Sequence, residues 1–459
     1  MLGQKNAIPT SEPCDSRLSF GMLLFIAGAT ASKVKSLVPG HRRGKIRTAA
    51  CTSKSDEPGF LEDEEANEAL RKKLLSWYER EHRDLPWRAT PFSGKVDVDE
   101  GAAGSPYAVW VSEIMLQQTQ VATVVPYFER WMKEFPTLVS LSRAEEDRIN
   151  ELWAGLGYYR RARMLHQGAK LVVEKHGGTI PQDTVDLLKI PGIGPYTAGA
   201  IASIAFRKAE PLVDGNVARV FSRLLSIDEE PSNKVFWVAA RRALDGNNPG
   251  DFNQALMELG STVCTPKVPS CAQCPLRLEC KSRNAALERG LDIEDYVTKF
   301  PRKPKKTKQQ EQAVAVCVVE NDGHLLMLKR PKTGLLPGLW EFPSVEVDCD
   351  DDKNDANRIR RKLRTLGLAL PKTRTLQCVG SVGHIFTHIR QTLRIYKLEG
   401  APTNEIDSRI EHRWTREDEV EGTAISAQMK KVFEKSKSLS KPDDGLMDKF
   451  VTKRKRKRD

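Results

Sequence analysis

Apolar residues fall at helical spacing through the earlier part of this chain and give way to strand-like runs near its end. Between 63 and 82, Leu70, Leu74, Trp77 and Tyr78 share one face at a 3.6-residue period, which predicts a helix. Thr90 to Ser105, rich in Gly, Ala and Asp, reads as a surface loop. A second helical run covers Tyr107 to Val121, and a third spans 146 to 175. From Asp186 a short apolar face (Leu187, Leu188, Ile190) meets Pro191, which lacks an amide hydrogen and forces a break. Gly192 and Gly194 are expected to supply backbone conformations closed to other residues, and Pro195 to open another helix with a smooth Ala/Ile/Gly face. From Gln312 the pattern turns β-rich: Ala313 to Val319 and His324 to Arg330 flank Asn321-Asp322-Gly323 and predict a hairpin. A helix from about Asp355 to Leu366 and strands near Val379 to Phe386 and Gln391 to Leu398 complete an α+β segment.

Composition adds bounds. A chain of 459 residues implies two or more domains. Lys and Arg total 73 against 61 acids, a formal +12 that favours a polyanionic partner. Nine cysteines, four of them in one tight group, suit a reducing compartment and a metal cofactor rather than a disulfide ladder. The organisation expected is an acid-poor transit-like segment 1–60, an all-α domain 61–285, a basic Pro/Lys linker 286–311, an α+β domain 312–435 and a basic tail 436–459. The apolar run Phe20 to Ala29 is too short for a bilayer, which takes about 20 residues, so no membrane partner is expected. A monomer is expected. The N-terminal segment points to an organelle (mitochondrion or plastid), and Lys453 to Arg458 to the nucleus or to loose DNA contact.

Four groups of residues carry chemistry. Glu113 sits inside an apolar helical run with Gln117 on the same face and Gln118 one step round; burial there would raise its pKa to where a proton donor works. Leu152-Trp-Ala-Gly-Leu-Gly-Tyr158-Tyr159-Arg-Arg-Ala-Arg163 suits close approach to DNA, with one tyrosine wedging the base stack and the other packed in the core. The Pro-Gly-x-Gly hairpin aims backbone amides of Gly192 and Gly194 at a DNA phosphate, and Asp214 follows just ahead of a helix, where N-capping is the commoner role. Cys264, Cys271, Cys274 and Cys280 have the spacing C-x6-C-x2-C-x5-C, which by itself allows zinc or iron–sulfur.

These motifs together resemble the MutY family of adenine DNA glycosylases over most of residues 61 to 435. The hairpin with its following Asp is similar to the helix-hairpin-helix and Gly/Pro-Asp loop of the DNA glycosylase superfamily. The cysteine spacing is similar to the 4Fe–4S loop of endonuclease III and MutY proteins. The last domain resembles the Nudix fold as MutY proteins carry it, with one departure. Where working Nudix hydrolases place carboxylates for magnesium, this helix has Arg358, Arg360, Arg361, Lys362 and Arg364, so nucleotide hydrolysis is excluded. The resemblance implies a monofunctional enzyme that removes adenine opposite 8-oxoguanine, or opposite guanine, from double-stranded DNA. It assigns Glu113 as acid to adenine N7 and Asp214 as stabiliser of the oxocarbenium ion. It places Leu85, Trp87 and Arg88 at the adenine pocket, Tyr196 and Asn216 at its wall, and Gln118 with one of Tyr158 and Tyr159 in the base stack. Phe386, Thr387 and His388 resemble the family's Phe-Ser-His contact to 8-oxoguanine. A repair-clamp partner through the linker is also implied. Tyr196 stands where bifunctional relatives have a lysine, so no Schiff base forms through that position. Two other readings stay open: a glycosylase-lyase for oxidised pyrimidines, and a noncatalytic mismatch binder.

Overall fold

The computed structural model describes residues 63–89, 102–303, 309–331, 333–368, 370, 374–386, 388–400 and 406–437. The N-terminal segment, the central part of the 90–105 loop, Thr387 and the basic tail lie outside the described residues. The helices are α1 Glu64–Glu81, α2 Pro106–Leu116, α3 Val121–Glu134, α4 Leu138–Ser142, α5 Glu146–Trp153, α6 Arg160–His176, α7 Thr184–Leu187, α8 Pro195–Ala200, α9 Gly215–Leu225, α10 Val235–Ala243, α11 Pro249–Thr262, α12 Lys281–Glu288 and α13 Ile293–Val297. Then follow strands β1 Gln310–Asn321, β2 His324–Lys329, β3 Trp340–Glu341 and β4 Ser344–Val347, helix α14 Asp355–Thr365, strands β5 Gln377–Ile385, β6 Ile389–Glu399 and β7 His412–Arg416, and helix α15 Ala427–Lys437.

The helical domain has two apolar cores. One gathers Leu70, Leu74 and Tyr78 of α1 with Phe221, Phe236 and Phe252 of α9, α10 and α11. The other gathers Trp110, Trp131, Trp153 and Leu165 of α2, α3, α5 and α6. The α1 apolar face is the expected one. Its packing against helices about 150 residues onward in the chain makes the domain's ends meet. Glycines let backbones touch: a Cβ on Gly199 would meet the Pro211 carbonyl oxygen at 2.3 Å, and one on Gly260 would meet Asn216 Cβ at 2.7 Å.

In the second domain β1 runs parallel to β6 and antiparallel to β2 and β4, giving the order β3-β2-β1-β6-β5 with β4 and β7 off that path. Successive β1 residues alternate between faces. Ala313, Ala315, Cys317 and Val319 pack with Ile359 and Leu363 of α14, while Val316 and Val318 face Val432 and Phe433 of α15. Both faces are covered, so the strand is apolar from Ala313 to Val319.

Four expectations change. The 146–175 helix is two helices, because Gly155 (φ +97°), Gly157 (φ +78°) and Tyr158 (φ +48°) turn the chain between α5 and α6. The helix from Tyr107 stops at Leu116, so Gln117 does not continue the face of Glu113; Arg161 takes the carbonyls of Ile114 and Met115 that further helical turns would use. Gly194 has φ −99° and open space at its Cβ, so only Gly192 (φ +85°) needs glycine's freedom. The linker is narrower than 286–311: α12 and α13 fill its first part, Ala286 and Val297 are buried, and the Phe300 carbonyl accepts from Arg223 at 3.1 Å.

Candidate active site

Glu113 on α2, Tyr196 on α8 and Asp214 at the start of α9 meet where the two cores adjoin. Glu113 is 5 % exposed. Burial pushes its carboxyl up to about 7; the Asp214 charge adds to that rise, while the Tyr196 hydrogen bond and the Arg88 charge oppose it. The Tyr196 hydroxyl donates to Glu113 Oε2 at 2.5 Å and lies 3.1 Å from Met257 Sδ. Burial together with the two carboxylates holds that phenol well above its ordinary range, so it stays a donor.

Asp214 is the N-cap expected from its position and also part of this cluster. Its Oδ1 accepts from the amides of Asn216 (2.9 Å) and Val217 (2.8 Å), and its Oδ2 accepts from Asn216 Nδ2 at 2.7 Å. A carboxylate so bonded is fixed in orientation. Asn216 Oδ1 accepts in turn from Arg219 Nη2 at 2.8 Å. Arg219 also donates to the carbonyls of Gly260 (2.7 Å) and Cys264 (2.9 Å), and Arg223, one turn on, to that of Thr265 (2.7 Å). The start of α9 beside Asp214 and the cysteine loop are therefore tied through two buried arginines of that helix.

The other residues singled out from the sequence separate into groups. Arg88 is close enough to bear on Glu113, but its guanidinium is engaged by Glu258 Oε2 at 3.0 Å, while Arg83 contacts Glu258 Oε1 at 2.6 Å. Leu85 and Trp87 are buried, Trp87 edge-on to Phe128 at 5.3 Å. Gln118 is exposed at the end of α2 with φ +55°. Of the tyrosine pair, Tyr158 is 50 % exposed, whereas Tyr159 is in the core with its hydroxyl donating to the Ile425 carbonyl at 3.1 Å. Phe386 and His388 lie at the β5–β6 turn, where Phe386 stacks edge-on with His384 at 4.5 Å. Glu258, Met257 and Arg219 escaped the sequence reading; Arg161, expected with its neighbours to approach DNA, is instead buried and donates to backbone carbonyls. Arg219 and Arg223, four apart in an otherwise apolar helix, were the available signal.

Cys264, Cys271, Cys274 and Cys280 line one cavity with Arg223, Arg277 and Arg283. Burial pushes the Cys274 thiol up to about 12 and the Cys280 thiol up to about 11, so thiolates there need a cationic centre among them. Among the described residues no group of His, Cys, Asp or Glu is placed to hold a single metal ion. These four cysteines are the residues that would hold a metal centre.

Family models match this geometry. Residues 111–240 match the HhH-GPD superfamily base excision DNA repair protein, and residues 314–435 match the NUDIX domain. The chain is 42% identical over 409 residues to the adenine DNA glycosylase of Homo sapiens, covering 80% of this chain and 73% of that one. It is 37% identical over 392 residues to that of Schizosaccharomyces pombe, covering 74% and 84%. Among solved structures, a thermostable thymine-DNA glycosylase is 25% identical with a TM-score of 0.41, covering 47% of this chain and 95% of that chain. Both domains, in this order, and the extent of identity with the human and yeast proteins lead to one conclusion: the chain belongs to the adenine DNA glycosylase family.

Proposed function

We propose that this chain excises adenine paired with 8-oxoguanine, and more slowly with guanine, as the first step of base excision repair. The observation that carries the reading is Glu113, a buried carboxyl whose pKa lies near 7 beside an oriented Asp214. The adenine turns out of the stack, which costs a few kcal/mol and less for a mispair. Tyr196 occupies Glu113 Oε2, leaving the acid's proton on Oε1 to pass to adenine N7. The bond from C1′ to N9 then breaks, its electron pair leaving with the purine. Asp214, ionised, shields the oxocarbenium ion, with transient addition to C1′ open to it. Water adds at C1′ and loses its proton to the Glu113 carboxylate. Acid and stabiliser thus divide as in sugar hydrolysis.

Arg88, Leu85 and Trp87 shape one side of the base pocket, and Tyr196 and Asn216 the other. Gln118 and Tyr158 fill the stack, the amides of Gly192 and Gly194 hold a phosphate, and Phe386, Thr387 and His388 meet the 8-oxoguanine. Cys264, Cys271, Cys274 and Cys280 hold a 4Fe–4S cluster, which keeps the loop in shape and takes no part in bond breaking. A sliding clamp docks through the linker, and the protein serves nucleus and organelle.

A single-turnover assay with adenine opposite 8-oxoguanine, guanine or thymine tests the reading. The first should react fastest, with the strand intact until alkali is added, and Glu113→Gln should bind the mismatch without turnover. Equal rates for the three partners would remove the role given to the second domain. Strand scission in step with base loss would remove the monofunctional reading.

A further inference from the structure

Arg161 opens α6 and is 8 % exposed. Its side chain reaches the ends of two loops far apart in sequence. Nη1 donates to the carbonyls of Ile114 (3.0 Å), Met115 (2.8 Å) and Gln117, where α2 has stopped. Nη2 donates to Thr119 Oγ1 (3.1 Å) on that same loop, and to the carbonyls of Leu156 (3.3 Å) and Gly157 (3.2 Å) on the other. The guanidinium carbon also lies 5.3 Å from the Tyr158 ring centre and 5.5 Å from that of Trp153. Each loop carries, next to these carbonyls, a residue in the left-handed region that side chains rarely adopt: Gln118 at φ +55° and Tyr158 at φ +48°. Such backbone persists only where its surroundings over-determine it, and here a single cation contacts both places.

We propose that Arg161 is a positioning residue that clamps these two loops together, so that Gln118 and Tyr158 enter the base stack at a fixed separation and adenine extrusion is coordinated. The inference depends on the reading above that those two side chains face DNA. A planar guanidinium is suited to the task because its donors diverge toward both loops at once; a lysine ammonium is a point charge that reaches one of them. The clamp acts on extrusion, ahead of bond breaking, and leaves the titration of Glu113 alone.

The test compares wild type, Arg161→Lys, Gln118→Ala and Tyr158→Ala as full-length, iron-loaded proteins. A duplex carries 2-aminopurine in place of the target adenine, whose fluorescence rises on leaving the stack, and single-turnover adenine release is followed across pH. Arg161→Lys should lower the rate and extent of the fluorescence rise and slow adenine release by roughly tenfold or more, the scale that small misplacement carries, with the pH midpoint unmoved. Thr119→Val, which removes one acceptor at nearly constant volume, should shift the same readouts less; it decides the matter should Arg161→Lys melt too low to assay. If Gln118→Ala and Tyr158→Ala quench the rise while Arg161→Lys or Thr119→Val leaves it intact, the clamp is wrong and the DNA-facing reading stands. If neither alanine variant alters the rise, that reading fails and the clamp with it.

Discussion

Glu113 shows how much a single environment decides. Its folded pKa of about 7 lies above the ordinary 4.5, so the fold is favoured while the group stays protonated. That contribution is complete below about 4.5 and is lost as pH rises through about 7. Ionising it inside the protein costs on the order of 3 kcal/mol by the size of the shift. Glu113→Gln should therefore melt higher than wild type at pH 8 and equally at pH 4. Wild-type adenine release should fall about tenfold per pH unit above the midpoint as the acid form disappears; a flat profile would remove the acid from Glu113. Asp214 separates capping from chemistry. Asparagine keeps the cap but turns an amide NH2 toward the Asn216 Nδ2 donor, so Asp214→Asn should lose about 1 kcal/mol of stability yet lose adenine release by orders of magnitude. If release survives in that variant, the residue is a cap alone.

At the scale of elements, the hairpin between α7 and α8 is held by one glycine. A Cβ on Gly192 would meet Met164 Cβ at 2.9 Å, and its φ of +85° is unfavourable for any side chain. Gly192→Ala should lower stability by about 1–2 kcal/mol and weaken duplex binding, whereas Gly194→Ala should leave the melting temperature unchanged. Thermal melts of the two variants check this, and similar losses in both would refute it. Helix α9 does more than carry Asp214. Its Arg219 connects Asn216 to the Cys264 carbonyl and its Arg223 holds the Thr265 carbonyl, so a hydrogen-bonded path runs from the cysteine loop to the acid cluster.

Across the whole molecule, the two domains share three polar contacts, one of them buried. The Tyr159 hydroxyl donates to the Ile425 carbonyl, Arg163 donates to the Pro337 carbonyl at 2.8 Å, and Lys329 reaches Asp147 at 2.9 Å. The first of these lies beside Tyr158, so the second domain bears directly on the loop expected in the stack. Tyr159→Phe removes the bond to Ile425 and one accepted from the Gly155 amide at 3.3 Å, about 1 kcal/mol each, and should narrow the ratio of rates opposite 8-oxoguanine and guanine. An unchanged ratio would mean that the domains discriminate independently of this contact.

Much of the architecture was legible because local patterning and tertiary demand agree: the α1 face, the β1–β2 hairpin and the α14 helix all lie where periodicity puts them. The breaks after Leu116 and between α5 and α6 were hidden. The first answers to Arg161, whose acceptors on the α2 side lie more than forty residues earlier in the chain, and the second to the positive φ of Gly155, Gly157 and Tyr158. The sequence by itself determined which functional groups the protein owns: two carboxyls in suitable contexts, four clustered thiols, a tyrosine in place of an amine, and a basic helix in place of magnesium ligands. Only the tertiary structure decided their states. Proximity and burial set a pKa, and the groups that bear on Glu113 come from segments distant along the chain, which no local pattern encodes, whereas Asp214 is oriented by Asn216 and Val217, two and three residues on.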